Sequence, residues 1–224
     1  MIPIKHDVPR KGFPFVTLSL CGCCVAVFFG GSCFIAERGF VPLDFMYALF
    51  HPVEELRTVT VMLLLSFFMH GGIAHLAGNL WYLWLFGPAI EQRLGAPRFT
   101  FMYGTAGVIA TITQALSSPL STIPIVGASG AIAGVMGITL VLLPHSRIVC
   151  YFPPLFFFKI PSFVFLLLWF GIQYINLSFT SPGNTLVAWW AHIGGFSFGV
   201  VAGILQRYGA GKGKRWKKRH EPKT

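Results

Sequence analysis

Acidic residues are scarce in this 224-residue chain, which has seven of them against 17 lysines and arginines. None lies between Gln92 and His220. An aspartyl mechanism requires a pair of acids, and a zinc-dependent protease of the His-Glu-x-x-His type requires a motif that is absent. His70 and His75 are five residues apart, which does not place them on one helix face, and no third ligand accompanies them. The sequence therefore predicts no metal site.

Cysteine is also sparse, and its placement does not predict a disulfide framework. Four of the five cysteines lie within one apolar segment. Cys21 and Cys24 have the Cys-x-x-Cys spacing of redox and metal sites, but inside an apolar segment we expect them to act as packing residues. No cleavable signal peptide is predicted, because the first apolar run is too long and lacks a small-residue cleavage site.

Charged residues make up 11% of the chain, hydrophobic residues 54%, and the mean hydropathy is +0.69. This composition is typical of a polytopic membrane protein. The net charge of +10 would be compatible with nucleic-acid binding, but eight of the 17 basic residues follow Gln206. A basic cluster beside a membrane span is a signal for topology and for anionic lipid. We therefore expect contact with a lipid bilayer and not with nucleic acid.

The apolar runs predict an all-α bundle of six transmembrane helices, at residues 15–36, 73–90, 99–116, 129–143, 160–179 and 188–206. A seventh apolar run, 61–69, is too short to cross a membrane and is expected to lie at the interface or to dip partly into the membrane. The predicted domains are a basic N-terminus (1–14), the membrane domain (15–206) and a basic tail (207–224). In this topology, 15 of the 17 basic residues fall on the same side of the membrane as the N-terminus. Because basic residues are enriched on the cytoplasmic side, both termini are predicted to be cytoplasmic.

Two stripes of small residues predict that the fourth and sixth spans pack closely. Members of each stripe recur every four residues and share a helix face: Ser129, Ala133 and Gly137, and Ala191, Gly195, Gly199 and Gly203. We expect this packing to bring Ser129 close to His192. A transmembrane serine taken alone is more often a small packing residue than a functional one. The ionisable His192 inside a second span favours a functional site.

A serine beside a histidine predicts a nucleophile, Ser129, activated by a general base, His192. Since no acid lies nearby, we expect a dyad unless the first outer loop contributes a carboxylate. His75 and Asn79 are four residues apart and would supply N–H donors to an oxyanion, as would the backbone N–H of Ser129 at its helix start. The alternative for His75 and Asn79 is hydrogen bonding that joins helices.

The depth of these groups supports a single site. In the predicted topology His75, Asn79, Ser129 and His192 all fall in the outer half of the membrane. The fourth span has 15 residues and is about 22 Å long, shorter than a hydrocarbon core of about 30 Å. We therefore expect Ser129 at the floor of a water-filled pocket, since irregular backbone at that depth must line a cavity or be buried in protein.

Four segments resemble the rhomboid family of intramembrane serine proteases: His70–Asn79, Gly87–Gly95, Gly127–Gly130, and Ala191–Gly195 followed by Gly199. The resemblance covers about residues 57–203. It implies Ser129 as nucleophile, His192 as base, and His75 with Asn79 as oxyanion donors. Residues in or beside these segments are expected to support the site structurally: Gly127, Gly130, Gly195, Gly199, His70, Glu91 and Arg93.

The resemblance further implies that the chain needs no cofactor and cleaves transmembrane segments of single-span or polytopic membrane proteins near their extracytoplasmic end. A six-span chain without a targeting peptide is most similar to bacterial members, in the plasma (inner) membrane. The sequence departs from many relatives at two places. A Trp-Arg pair in the first outer loop is absent, and Ala133 replaces an aromatic residue that stacks on the histidine. Trp189 and Trp190 are the candidates for orienting His192 instead.

Two other functions remain as alternatives. A non-proteolytic rhomboid-like protein would bind and escort membrane clients, although such proteins have usually lost the serine or the histidine. A small transporter or channel would require inverted repeats or broken helices in both halves, and neither is evident in the sequence.

Overall fold

The structure, a computed structural model, describes residues 1–9, 12–31, 39–154, 156–179 and 187–220, with backbone only at residues 31, 52–54, 56 and 210–220. In these ranges the chain forms eight helices and three strands. In chain order they are β1 (Ile2–His6), α1 (Phe15–Gly31), α2 (Pro42–Phe50), α3 (Pro52–Ser66), α4 (Ile73–Leu94), α5 (Ala96–Ser117), α6 (Ser129–Leu142), β2 (Arg147–Phe152), β3 (Phe156–Pro161), α7 (Ser162–Ser178) and α8 (Trp189–His220).

Helices α1, α4, α5, α6, α7 and α8 overlap the six predicted spans, which confirms a mostly helical bundle. Helix α8 continues 14 residues beyond its predicted end at Gln206, to His220. Helix α4 runs four residues beyond its predicted end and stops at Gly95, whose φ of 81° favours glycine. Residues 32–36 of the first predicted span lie outside the described residues. In the described part of the chain, no helix is both long enough and apolar enough to cross a membrane. The count of six spans therefore stays a prediction.

The segment between the first two predicted spans contains two short helices, α2 and α3. Each begins with a proline in its first turn, where the missing N–H has no helical partner to lose. The apolar run 61–69 does not form an element of its own, and its place at the membrane interface stays a prediction. Residues 61–66 form the last turns of α3, so the run continues a helix that starts at Pro52.

The prediction of an all-α fold is wrong in one respect, because β1, β2 and β3 form an antiparallel sheet in that order. β2 and β3 are a hairpin between α6 and α7, rich in the aromatic and β-branched residues that favour strands. β1 lies in the predicted N-terminal segment and pairs with β2 from Ile2 opposite Tyr151 to His6 opposite Ile148. Local periodicity could not reveal a pairing between segments that lie so far apart in the sequence.

Side chains attach β1 to the rest of the molecule. Nε2 of His6 lies 2.7 Å from Oγ of Ser146, which also lies 2.8 Å from Oγ of Ser162 at the start of α7. The indole N–H of Trp81 on α4 donates to the carbonyl of Pro3 at 2.7 Å. The N-terminal segment therefore bridges α4 and the junction between α6 and the hairpin.

Helices α6 and α8 pack with their backbones in contact. A Cβ built on Gly195 would meet the carbonyl oxygen of Gly130, and one built on Gly199 would meet that of Gly134. On α6 this contact includes Gly130 and Gly134, which lie one residue after Ser129 and Ala133 of the predicted stripe. It also includes Gly137 of that stripe, where a Cβ would meet the carbonyl oxygen of Phe196. Ser129 consequently lies at the edge of the interface, where it is half-buried and faces a cavity.

Candidate active site

A cavity of about 1060 Å³ lies where α4, α6 and α8 begin. The loop before α6 and residues of α7 complete its wall. The polar side chains among its lining residues include the four that the sequence singled out, together with Tyr82 and Gln114. Those four are His75, Asn79, Ser129 and His192. Most of the remaining wall is apolar and includes Ile132, Met136 and Trp169. The cavity thus joins a few converging polar groups to an apolar surface, as small-molecule and peptide sites commonly do.

Ser129 and His192 are joined by a hydrogen bond of 2.9 Å between Oγ and Nε2. Ser129 is the first residue of α6, and His192 lies in the first turn of α8. The close contact of these helices through glycine brings the two first turns together. Because it lies in the first turn of α6, the backbone N–H of Ser129 has no acceptor within that helix.

His192 is held on its other side by Gln173 of α7, a residue that the sequence analysis did not single out. Oε1 of Gln173 lies 2.8 Å from Nδ1 of His192. Two indole rings flank the imidazole, with centroids 5.9 Å away for Trp169 and 6.0 Å for Trp189. Of the two expected orienting residues, Trp189 therefore contacts His192, while Trp190 lines the cavity and is 41% exposed.

His75 and Asn79 lie one turn apart on α4 and face the loop before Ser129. The amide of Asn79 donates to the carbonyl of His75 at 3.2 Å. Gly127 lies directly against both side chains, because a Cβ at this position would be 2.7 Å from Nε2 of His75 and 3.6 Å from Nδ2 of Asn79. Its φ of 116° is a conformation that residues with a Cβ rarely adopt. Glycine at 127 therefore allows the loop to approach these two side chains.

Backbone hydrogen bonds hold that loop in place. The N–H of Gly127 donates to the carbonyl of Ser66 at the end of α3, at 2.8 Å. The N–H of Ile125 donates to the carbonyl of Phe40 at 2.8 Å, and the N–H of Leu43 donates to Ser121 at 3.1 Å. The segment containing α2 and α3 therefore supports the backbone that leads into Ser129.

The other predicted supporting residues lie outside the cavity wall. His70 is 1% exposed, and its Nδ1 donates to the carbonyl of Phe68 at 3.1 Å. Its ring centroid lies 5.1 Å from that of His75. Glu91 is buried and accepts three hydrogen bonds from Val16 and Thr17 at the start of α1. Arg93 is exposed, and its supporting role stays a prediction.

Chemically, the arrangement around Ser129 can carry out acyl transfer. A hydroxyl beside an imidazole nitrogen can lose its proton as it attacks a carbonyl. N–H groups that converge on the same cavity can stabilise the negative oxygen that forms. In the described residues no cluster of three or more histidine, cysteine or acidic side chains is placed to hold a metal ion.

A second serine–histidine hydrogen bond, between Ser146 and His6, gives a useful contrast. The hydroxyl of Ser146 also lies 2.6 Å from the carbonyl of Leu143, to which it donates. His6 is the last residue of β1, is buried, and packs its ring 5.5 Å from that of Phe86. Neither residue lines the cavity described above. This pair joins structural elements, so a hydrogen bond between serine and histidine is not enough to define a site.

The fold and the cavity together define a class: a helical bundle with a hydrogen-bonded serine and histidine at the ends of two tightly packed helices. Residues 57–209 match the Rhomboid domain that defines the Rhomboid family. This match covers more than half of the chain, and the chain therefore belongs to the rhomboid family.

Individual relatives match shorter stretches. YdcA of Bacillus subtilis (strain 168) is 39% identical over 90 residues, which are 40% of this chain and 42% of YdcA. Rhomboid protease GluP of the same organism is 41% identical over 85 residues, 38% of this chain and 16% of GluP. The mitochondrial Presenilin-associated rhomboid-like protein of Bos taurus is 36% identical over 98 residues, 43% of this chain and 26% of that protein. The chain thus matches less than half the length of each.

Proposed function

We propose that this protein is an intramembrane serine protease that cleaves transmembrane segments of other membrane proteins near their extracytoplasmic end. The observation that carries the proposal is the hydrogen bond of 2.9 Å between Ser129 Oγ and His192 Nε2, inside a cavity of about 1060 Å³. Membership of the rhomboid family and the name of the relative GluP support the same activity.

In the proposed reaction, Nε2 of His192 takes the proton of Ser129 as Oγ attacks the carbonyl carbon of the scissile peptide bond. The carbonyl oxygen becomes an oxyanion, and His75, Asn79 and the N–H of Ser129 donate hydrogen bonds to it. His192 then gives its proton to the leaving amine as the C–N bond breaks. A water molecule, deprotonated by His192, hydrolyses the acyl ester and Ser129 regains its proton.

The proposed setting is the plasma (inner) membrane, with α1, α4, α5, α6, α7 and α8 as six spans and both termini in the cytoplasm. The apolar composition and the one-sided distribution of basic residues support this setting. Residues 1–14 and 207–224 would then be cytoplasmic, and 15–206 the membrane domain. The proposed substrates are single-span or polytopic membrane proteins, and no step of the proposed reaction uses a cofactor.

A direct experiment compares purified wild-type protein with Ser129→Ala and His192→Ala on a panel of single-span substrates, with cut sites mapped by mass spectrometry. We expect the wild type to cut near the extracytoplasmic end of a span, and each variant to lose at least about 100-fold in kcat because the nucleophile or the general base is gone. Thermal unfolding in detergent checks that both variants fold.

Two results would contradict the proposal. One is cleavage by Ser129→Ala at the wild-type rate, which would place the chemistry elsewhere. The other is stable binding of the same substrates by folded wild-type protein with no cleavage. That second result would favour the alternative of a non-proteolytic protein that binds membrane clients.

A further inference from the structure

Both ring nitrogens of His192 have a polar partner. Nε2 lies 2.9 Å from Oγ of Ser129, and Nδ1 lies 2.8 Å from Oε1 of Gln173. A neutral imidazole carries one proton, so one nitrogen donates and the other accepts. The group facing Nδ1 therefore decides whether Nε2 can take a proton from the serine.

The hydrogen bonds of Gln173 determine which atom of its amide faces His192. Nε2 of Gln173 donates to the carbonyl of Trp169 at 3.1 Å, one turn earlier in α7. A backbone carbonyl only accepts, so the NH₂ group must point towards it. The amide oxygen is then left for Nδ1 of His192. Because this oxygen only accepts as well, Nδ1 must carry the proton, and Nε2 presents a lone pair to Ser129.

We propose that Gln173 is a positioning residue that holds His192 in the tautomer and orientation in which Nε2 is the base towards Ser129. This inference rests on the proposed protease function. It assigns to a neutral amide the part that a carboxylate plays in a Ser-His-Asp triad. The chain has no acid between Gln92 and His220, which includes all of α6, α7 and α8.

The position of Gln173 suits this role. It is 6% exposed and lies behind the imidazole. It is not among the described residues that line the cavity. The rings of Trp169 and Trp189 flank the same imidazole. A substrate in the cavity would therefore contact Ser129 and His192 without contacting Gln173, so we expect loss of Gln173 to lower kcat and leave KM unchanged.

The kinetic test uses Gln173→Met, which keeps the length and removes the acceptor, and Gln173→Glu, which keeps an acceptor oxygen. We expect kcat to fall by about 10- to 100-fold in Gln173→Met, because the variant loses part of the 10²- to 10⁴-fold acceleration that a general base contributes. KM should stay within about twofold of wild type. Gln173→Glu should stay within about tenfold of wild type. The matched control is Gln92→Met, the same substitution at an exposed position of α4, which should behave as wild type.

The tautomer of His192 gives a readout that is independent of activity. It is measured from the two side-chain nitrogen resonances of His192 in protein labelled with ¹⁵N-histidine. These resonances are assigned by their absence in His192→Ala. We expect the wild type to show the Nδ1–H tautomer alone, and Gln173→Met to show a mixture. If wild-type protein cleaves nothing, yet shows this tautomer alone while Gln173→Met shows a mixture, the protease function fails and only the effect of Gln173 on the tautomer of His192 stands. If the wild type cleaves and folded Gln173→Met has the wild-type kcat, or if His192 keeps one tautomer in both proteins, the positioning role is contradicted.

Discussion

At the scale of single residues, Gly127 is constrained both by its backbone conformation and by its neighbours. Its φ of 116° and its contact with the imidazole of His75 both depend on the absence of a side chain. A residue with a Cβ in such a conformation costs about 1–3 kcal/mol. The same Cβ would displace His75, one of the two side-chain donors proposed for the oxyanion. Gly127 therefore links the backbone of the serine loop to the proposed chemistry.

Gly127→Ala tests this link. We expect kcat/KM on a cleaved substrate to fall at least about tenfold, because the new methyl group would lie 2.7 Å from Nε2 of His75 and must push that ring away from the oxyanion. The free energy of unfolding should fall by about 1–3 kcal/mol, the cost of the strained backbone.

The matched control is Gly104→Ala in α5, where a Cβ would meet nothing within 4 Å. Alanine is favoured over glycine inside a helix, so this variant should keep full activity and be slightly more stable. Wild-type activity in folded Gly127→Ala would contradict the account of this loop.

Some residues of the site can be predicted from the sequence and others cannot. Ser129 and His192 each interrupt an apolar run rich in small residues, which is the pattern of two closely packed helices. Gln173 interrupts an apolar run as well, but its partner depends on how α7 lies against α8, and this is decided by tertiary packing. The chemical roles of Ser129, His192, His75 and Asn79 stay predictions until activity is measured.

At the scale of elements, Glu91 of α4 holds the start of α1. Its carboxylate accepts from the N–H of Val16 at 2.9 Å, from the N–H of Thr17 at 2.8 Å and from the hydroxyl of Thr17 at 2.7 Å. These N–H groups have no acceptor within α1, and a negative charge at a helix N-terminus is favourable. The residues involved are about 75 positions apart, so this contact joins distant parts of the chain.

Glu91→Gln should lower the free energy of unfolding by about 1–3 kcal/mol. An amide has one acceptor oxygen in place of two, which leaves a buried N–H of α1 without a partner. The measurement is the unfolding midpoint in detergent. Asp44→Asn is the control, since Asp44 is an exposed acid in the first turn of α2 and its loss should change stability by less than about 0.5 kcal/mol. Equal effects of the two substitutions would contradict a specific role for Glu91.

Helices were easier to predict than strands. Long apolar runs bounded by turn residues revealed α4, α5, α6 and α7 to within a few residues. β2 and β3 also consist of apolar and aromatic residues, but they are short, and a hairpin gains stability only when a further strand or a helix packs on it. Here that support includes β1, which pairs with β2 through contacts such as Ile2 with Tyr151. The strands therefore depend on a contact that the local sequence does not contain.

At the scale of the whole molecule, the cavity and the sheet lie at opposite ends of α6. Helix α6 starts at Ser129 in the cavity and ends at Leu142, shortly before β2, after about 21 Å. Exposed basic residues lie on the sheet, namely Lys5, Arg147 and Lys159. If the positive-inside rule applies, the sheet faces the cytoplasm and the cavity opens towards the extracytoplasmic side.

Topology reporters test this orientation. We expect alkaline phosphatase to be active when fused after Leu120, in the loop beside the cavity, and inactive when fused after His145 or Thr224. Green fluorescent protein at the same three positions should give the reverse pattern, because it becomes fluorescent in the cytoplasm. Phosphatase activity at His145 and Thr224 would contradict the predicted orientation, and activity at all three positions would contradict a membrane-spanning segment between them.

The central claim is that His192 activates Ser129, and covalent labelling by a serine-directed fluorophosphonate tests it most directly. The adduct is mapped by peptide mass spectrometry in wild type, Ser129→Ala and His192→Ala. The account predicts an adduct on Ser129 in the wild type, none in Ser129→Ala, and labelling at least about 100-fold slower in His192→Ala. An adduct on Ser146 in place of Ser129, or labelling of His192→Ala at the wild-type rate, would contradict it.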